Sequence, residues 1–338
     1  LETLTAPMEL LPLAALSFGT ALASSLALTP RLAAAIKDRG HTVPDRYKLD
    51  LPETPTLGGA CVLTGCFLSI ILSILLIKNV PTTQGVTLLE KMLIYYIIMF
   101  FFAIFGIMDD ILVLSRRIKL VVPIILVIPF VRLVDPMVRF PLMGQIDLPP
   151  VALYFFLAFY VMVVANMTNF HASYNGLSTG LSAILMAAMM LKSYLMNRPD
   201  GVLILAPLFG ATVGFLWFNF PPSRIFPGNS GTFLYGGCIG FFLILQELKT
   251  FGLVALAAHI INFLLFLLYM KTKIIPWVRG KYEYTNFGKV DEDGFLVPPH
   301  RGLLKFLVAS FRPTTERTAV LTLYALTALS CAAGLVLT

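Results

Sequence analysis

The chain has 338 residues, of which 58% are hydrophobic and only 13% charged, with a formal net charge of +7 and a mean hydropathy of +0.85. Soluble domains run near a quarter charged, so this composition excludes an ordinary water-soluble fold and points to one polytopic membrane domain. The positive balance suits an anionic leaflet or phosphate ligands and gives no argument for nucleic acid.

A span needs about 20 apolar residues, and backbone polar groups in lipid must be satisfied within the segment, so apolar runs read as helices. Ten candidates follow in order: 9–29, 58–78, 92–108, 120–134, 151–168, 176–191, 201–218, 231–248, 252–275 and 318–337. The first reads as a retained span, because no basic start or cleavage site frames it. The fourth and sixth are short. The expectation is an all-α integral membrane protein with about ten transmembrane helices. Cys61, Cys66, Cys238 and Cys331 fall inside apolar runs and read as small packing residues.

Lysines and arginines set the orientation. With both termini outside, the inside loops are 30–57, 109–119, 169–175, 219–230 and 271–317, and they hold 18 of the 25 lysines and arginines. The last loop contains an Asp293-Gly294 turn between strand-like stretches, so a small hairpin is expected. Leu303, Leu304, Leu307 and Phe311 then share one helical face, as in an interfacial helix.

The unusual polar clusters all fall on that inside face. "TVPDRYKLDLPETPTLGG" lies in the first loop and "DDILVLSRRIK" in the second. "NMTNFHASYNG", "FPGNSGTF" and "PPHRG" lie in the third, fourth and fifth. Adjacent carboxylates at Asp109 and Asp110 are costly near a bilayer and repel one another. A divalent cation or a cationic group relieves both costs; a solvated helix end is the plainer reading. Arg116, Arg117 and Lys119 read either as topology anchors or as phosphate holders. The glycines around Asn229 and Ser230 at a helix start form either an anion nest or a turn with its cap. Asn166 and Asn169 share a helical face. His171 reads as a local hydrogen-bonding residue, and His259 has no evident partner.

Four motifs in order, "TPTLGG" (54–59), Asp109-Asp110 with Lys119, "NxxN…NG" (166–176) and "PGNSGT" (227–232), resemble the polyprenyl-phosphate N-acetylhexosamine-1-phosphate transferases, over about residues 45–301. The resemblance implies transfer of a HexNAc-1-phosphate from a UDP-sugar to a polyprenyl (dolichyl) phosphate, with magnesium (manganese as a substitute) and release of UMP. It implies that Asp109 activates or positions the lipid phosphate, Asp110 organises the metal's surroundings and Lys119 pairs with phosphate oxygens. Asn169 and Asn229 stand at metal-ligand positions. Asn175 and Phe226 would contact uracil; His300 and Arg301 would hold the sugar or diphosphate; Glu53 and Asn166 complete the expected substrate-binding set. A second copy of the chain is an expected partner.

Departures from the family refine the expectation. The last loop has one histidine, His300, where the cell-wall branch has a cluster, and Ala172 stands where that branch has an aspartate. Both features point toward GlcNAc-1-phosphate and the dolichyl-phosphate branch. Pro299 replaces the first arginine of that branch's Arg-His-Arg. The glycine-rich "TPTLGG" is nearer the prokaryotic form, so an archaeal-type enzyme in the plasma membrane fits the mixture; a eukaryotic one would sit in the endoplasmic reticulum membrane. Asn229 replaces the usual aspartate, which keeps a catalytically silent nucleotide-sugar binder open. A transporter is the rival class, although its site would sit near the midplane between paired halves.

Overall fold

A computed structural model describes residues 2–77, 87–131, 138–140, 144–146, 149–272, 285 and 287–338. Part of the last loop, including most of "KYEYTNF", and the loop cations Lys78 and Arg132 lie outside these. The described residues form an all-α integral membrane protein decorated with three two-stranded ribbons.

The first helix, α1 (Glu2–Asp38), leads into a ribbon of β1 (Thr42–Pro44) and β2 (Glu53–Pro55). The long helices α2 (Gly58–Leu76) and α3 (Leu88–Leu112) follow. Thr87 and Glu90 close a capping box that satisfies free N–H groups at the α3 start. Next come α4 (Arg116–Val131), a ribbon of β3 (Val138–Phe140) and β4 (Gly144–Ile146), then α5 (Pro150–Phe170), α6 (Leu177–Leu195), α7 (Pro199–Asn219) and α8 (Gly228–Leu245). The chain ends with α9 (Lys249–Ala255), α10 (Ala257–Thr272), the ribbon of β5 (Lys289–Val290) and β6 (Leu296–Val297), α11 (Leu304–Ala309) and α12 (Glu316–Leu337).

Eight of these helices are long and apolar enough to cross a membrane among the described residues, or nine if α9 and α10, bent by 65°, count as one broken span. The fourth expected span, 120–134, corresponds to α4 and is not among them. That helix has 16 residues, about 24 Å of helix at 1.5 Å per residue, and carries Pro123 and Pro129. The 3.6-residue stripe does not pick out a single buried face in most of these helices, because the lipid-facing side is apolar too. Phe67, Leu75, Phe155, Trp217 and Val336 are exposed on the outer surface, where lipid tails take the place of water.

The centre is α8, buried along nearly its whole length. Helices in lipid gain little from apolarity alone and associate through close packing of small residues. Gly237 shows the device: a Cβ there would run into the ring of Phe102 on α3.

Two expectations for the last loop meet different outcomes. The hairpin is present: Lys289 pairs with Val297 and Val290 with Leu296. Its turn is tied by Asp291, whose Oδ1 accepts the N–H groups of Asp293 and Phe295 at 3.1 and 2.8 Å. The expected interfacial helix is instead the single-turn α11, which is not laid on lipid. Leu303 and Phe306 are fully buried with Leu177, Val320 and Leu323, and only Phe311 stays exposed. The apolar face found its partners within the protein, on α6 and α12.

Candidate active site at one membrane edge

The end of α3 and the starts of α2 and α8 meet at one edge of the bundle. Three backbone hydrogen bonds lace "TPTLGG" to "FPGNSG": Phe226 N–H to Pro55 O at 2.8 Å, Gly58 N–H to Phe226 O at 2.9 Å, and Gly59 N–H to Pro227 O at 3.0 Å. Such contact needs bare backbone. A Cβ at Gly59 would overlap the Ser230 backbone, and one at Gly106 would lie 2.5 Å from Asn229 O. Gly106→Ala is therefore expected to lower the unfolding midpoint in detergent, with overpacking of about 1–3 kcal/mol. Gly19→Ala, where nothing lies within 4 Å, should not. Equal midpoints for the two variants would show that the α3–α8 contact is slack.

The two aspartates do different things. Asp109 is 1% exposed. Its Oδ2 pairs with Lys119 Nζ at 2.6 Å, and its Oδ1 accepts the N–H of Leu114 at 2.9 Å. That second bond secures a strained turn, for Val113 sits at φ 50°, a left-handed conformation that disfavours a β-branched side chain. Asp110 points elsewhere. Its Oδ1 accepts Asn229 N–H at 2.7 Å and its Oδ2 accepts Ser230 N–H at 2.9 Å. The anion nest at the α8 start is real, but its anion is Asp110.

The asparagines also divide. Asn166 donates to Met162 O at 2.9 Å and to Lys119 O at 3.1 Å, so it anchors the start of α4 rather than facing substrate. Asn169 donates to Asn229 Oδ1 at 2.9 Å and to Thr232 Oγ1 at 3.1 Å. Asn175 sits before α6, 3% exposed, with its amide nitrogen held by carboxylates.

A cavity of about 530 Å³ opens at this edge, lined by neither Asp109 nor Asn166, within the usual range for a ligand pocket. Asp110, Lys119, Asn169, Asn175, Phe226 and Asn229 line it. Arg46, Tyr47, Tyr174 and Phe287 add a cationic and aromatic wall that sequence reasoning did not single out. Tyr47 and Tyr174 meet edge to face at 5.0 Å, and burial pushes both phenols up from their ordinary value, so they stay neutral. The only advance sign of Tyr47 was its place in the polar first loop.

Besides Asn166, three more expected substrate contacts lie apart from this cavity. Glu53 is exposed on a groove shared with Lys37 and Lys48. His300 and Arg301 line a second cleft beside Tyr269 and Phe311. The His300 ring stacks on Tyr269 at 4.4 Å, while its Nδ1 accepts Gly302 N–H at 3.0 Å and its Nε2 lies 2.9 Å from Thr285 O. His171 is not the local hydrogen-bonding residue expected. Among the described residues neither ring nitrogen has a hydrogen-bond partner, and the ring meets His259 edge-on at 4.7 Å. Burial lowers its proton affinity well below the usual value, which keeps the ring neutral.

Among the described residues, no three His, Cys, Asp or Glu side chains converge as a metal cage. The side-chain oxygen donors near the α8 start among the described residues include Thr56, Asp110, Asn169, Asn229 and Thr232, with one negative charge between them. Magnesium commonly takes one or two carboxylates and completes its shell with substrate phosphates and water. The donor set fits an ion that arrives with a diphosphate, rather than one caged by the protein alone.

Comparison with known proteins agrees with the motif reading. The family model "Glycosyl transferase family 4" matches residues 92–247. A protein of Sulfolobus acidocaldarius, provisionally named a UDP-N-acetylglucosamine–dolichyl-phosphate N-acetylglucosaminephosphotransferase, is 27% identical over 77% of this chain and 76% of its own length. A Saccharolobus solfataricus protein with the same provisional name is 27% identical over 75% of this chain and 74% of its own. The phospho-N-acetylmuramoyl-pentapeptide-transferase of Bacillus subtilis is 26% identical over 58% of this chain and 62% of its own.

Proposed function

We propose that this chain, similar across its central helices to glycosyl transferase family 4 proteins, transfers GlcNAc-1-phosphate from UDP-GlcNAc to a polyprenyl phosphate of the dolichyl type and releases UMP. The observation that carries this reading is the pairing of buried Asp109 with the partly exposed Lys119 at the membrane edge, beside a nucleotide-sized cavity. Ile111, Leu112 and Val113 immediately after the aspartates are exposed and apolar, as are Leu120 and Val121 beyond Lys119. A prenyl tail can stay in the bilayer along them while its phosphate reaches Lys119. The cavity would hold the nucleotide diphosphate, with the base against Phe226 and Asn175.

In the reaction, an oxygen of the lipid phosphate forms a bond to the sugar-linked phosphorus, and that phosphorus loses its bond to the bridging oxygen, which leaves with UMP. Lys119 exchanges part of its pairing with Asp109 for the incoming phosphate. Asp109 accepts a proton from a monoprotonated lipid phosphate and orients it through Lys119. Asp110 acts less directly: by holding the N–H groups of Asn229 and Ser230 it fixes the start of α8 at the cavity floor. A magnesium ion bound near Asp110, Asn169 and Asn229 would neutralise charge on the transferring phosphoryl group. The lysine and arginine bias supports a cytoplasmic position for this edge, and the archaeal relatives favour a plasma-membrane enzyme.

The direct test is UMP release by the purified protein with UDP-GlcNAc, polyprenyl phosphate and magnesium, each omitted in turn. Release that needs all three supports the reading; none with any UDP-sugar overturns it. The branch assignment rests on Ala172, the single His300 and the archaeal relatives. UDP-GlcNAc should raise the unfolding midpoint through linkage to the folded state, and UDP-MurNAc-pentapeptide should raise it less. Stronger protection by the pentapeptide nucleotide would reverse the branch.

A further inference from the structure

We infer that Asp45 and Glu316 are positioning residues that lock Asn175 with only its amide oxygen offered to the cavity, so that the site selects a base carrying a ring N–H donor, uracil over cytosine. The inference rests on the nucleotide-sugar reading and names two residues outside the expected site.

Glu316 opens α12 and grips Asn175 twice. Its Oε1 accepts the Asn175 backbone N–H at 2.7 Å, and its Oε2 accepts from Nδ2 at 3.2 Å. Asp45, from the first loop, accepts from the same Nδ2 at 3.0 Å. Asp45 is itself fixed: its Oδ1 accepts Tyr47 N–H at 3.1 Å, and its Oδ2 lies 3.1 Å from Lys48 Nζ. Asp45 is 1% exposed and Glu316 9%. Asp45 Oδ2, itself beside Lys48 Nζ, faces the amide as an acceptor, and Glu316 Oε1 is taken by the backbone N–H, so the amide nitrogen faces the two carboxyl groups and the oxygen faces away. Asn175 lines the cavity, and among the described residues its Oδ1 accepts no hydrogen bond.

A freely turning amide presents either its oxygen or its NH₂ group, and so suits both pyrimidines. A locked one does not. Uracil brings an N3–H that the oxygen can accept. Cytosine brings an N3 lone pair, which would face another lone pair. A site built around one buried hydrogen bond rejects the analogue that lacks it more strongly than apolar contact does.

The test uses the purified chain in detergent and measures binding of UMP, CMP and N3-methyl-UMP by calorimetry. The unaltered chain should bind UMP at least about tenfold more tightly than either of the others, since a buried hydrogen bond and its unmatched alternative differ by at least that factor. Equal binding of UMP and N3-methyl-UMP overturns the inference whatever the variants do. In Glu316→Gln combined with Asp45→Asn, the new amides can donate to Asn175 Oδ1 and let it turn. The UMP-to-CMP preference should then fall toward one. A merely structural role would weaken both nucleotides alike and leave the ratio unchanged, which would also overturn the lock. No UMP binding by the unaltered chain removes the nucleotide reading itself.

Discussion

Asp109→Asn and Lys119→Ala each cut UMP release by at least about a hundredfold, the low end for a lost proton acceptor or charge-stabilising group, and the double variant is no slower than the worse single one. The pair is in contact at 2.6 Å, so it acts as a unit and its losses do not add. The two variants part on stability. An asparagine at 109 can still accept the Leu114 N–H and leaves a lysine side chain that is 25% exposed and able to find water. Lys119→Ala leaves a carboxylate with 0% side-chain exposure and no countercharge, a class of change that costs about 3–5 kcal/mol. Lys119→Ala should therefore melt earlier than Asp109→Asn. Arg39→Ala, an exposed cation on the same face, should change neither turnover nor midpoint. Lys192 on the opposite side is a poor control because it is 8% exposed and its loss would report packing. Near-normal turnover in both single variants removes this pair from the chemistry, and additive losses would mean that its members act separately.

Asn229→Asp raises magnesium-dependent UMP release by about a hundredfold or more, because metal-borne charge stabilisation is worth several kcal/mol. The surroundings accept the change. The Asn169 Nδ2 that donates to Asn229 Oδ1 at 2.9 Å can donate as well to a carboxylate. Residue 229 lies in the first turn of α8, where negative charge is favoured. Asp110 opposes it as a like charge, but two N–H groups already neutralise part of that carboxylate. As it stands, the chain offers an ion two neutral amides bonded to one another, so weak magnesium binding and slow turnover are expected. The measurement is turnover of both forms across a magnesium titration. If the aspartate form is no faster at any concentration, Asn229 is not beside the metal.

The apolar runs alone determined the architecture, since a backbone in lipid has few options other than a helix. The sequence also put every polar cluster at one edge: alternate spans end there, so the ends of α3, α5 and α7 return to the same side as the starts of α2, α6 and α8. The hairpin was legible in Asp293-Gly294 because a tight turn is a local decision. Tertiary structure decided what each polar residue does. Asp109 and Asp110 are identical in type and adjacent, but successive helix positions point about 100° apart, so one faces Lys119 and the other the start of α8. The nest in "PGNSGT" was visible, but not that Asp110, 119 residues away, already fills it. Asn175 was a candidate from its motif, while its partners Asp45 and Glu316 lie 130 and 141 positions off and carried no signal in a single sequence. His300 and Arg301 had the expected residue types and order, but the ring of His300 is held by Tyr269 and Gly302 in a separate cleft. Pattern along the chain fixes which residues reach the membrane edge; the packing of helices around α8 fixes which of them face each other.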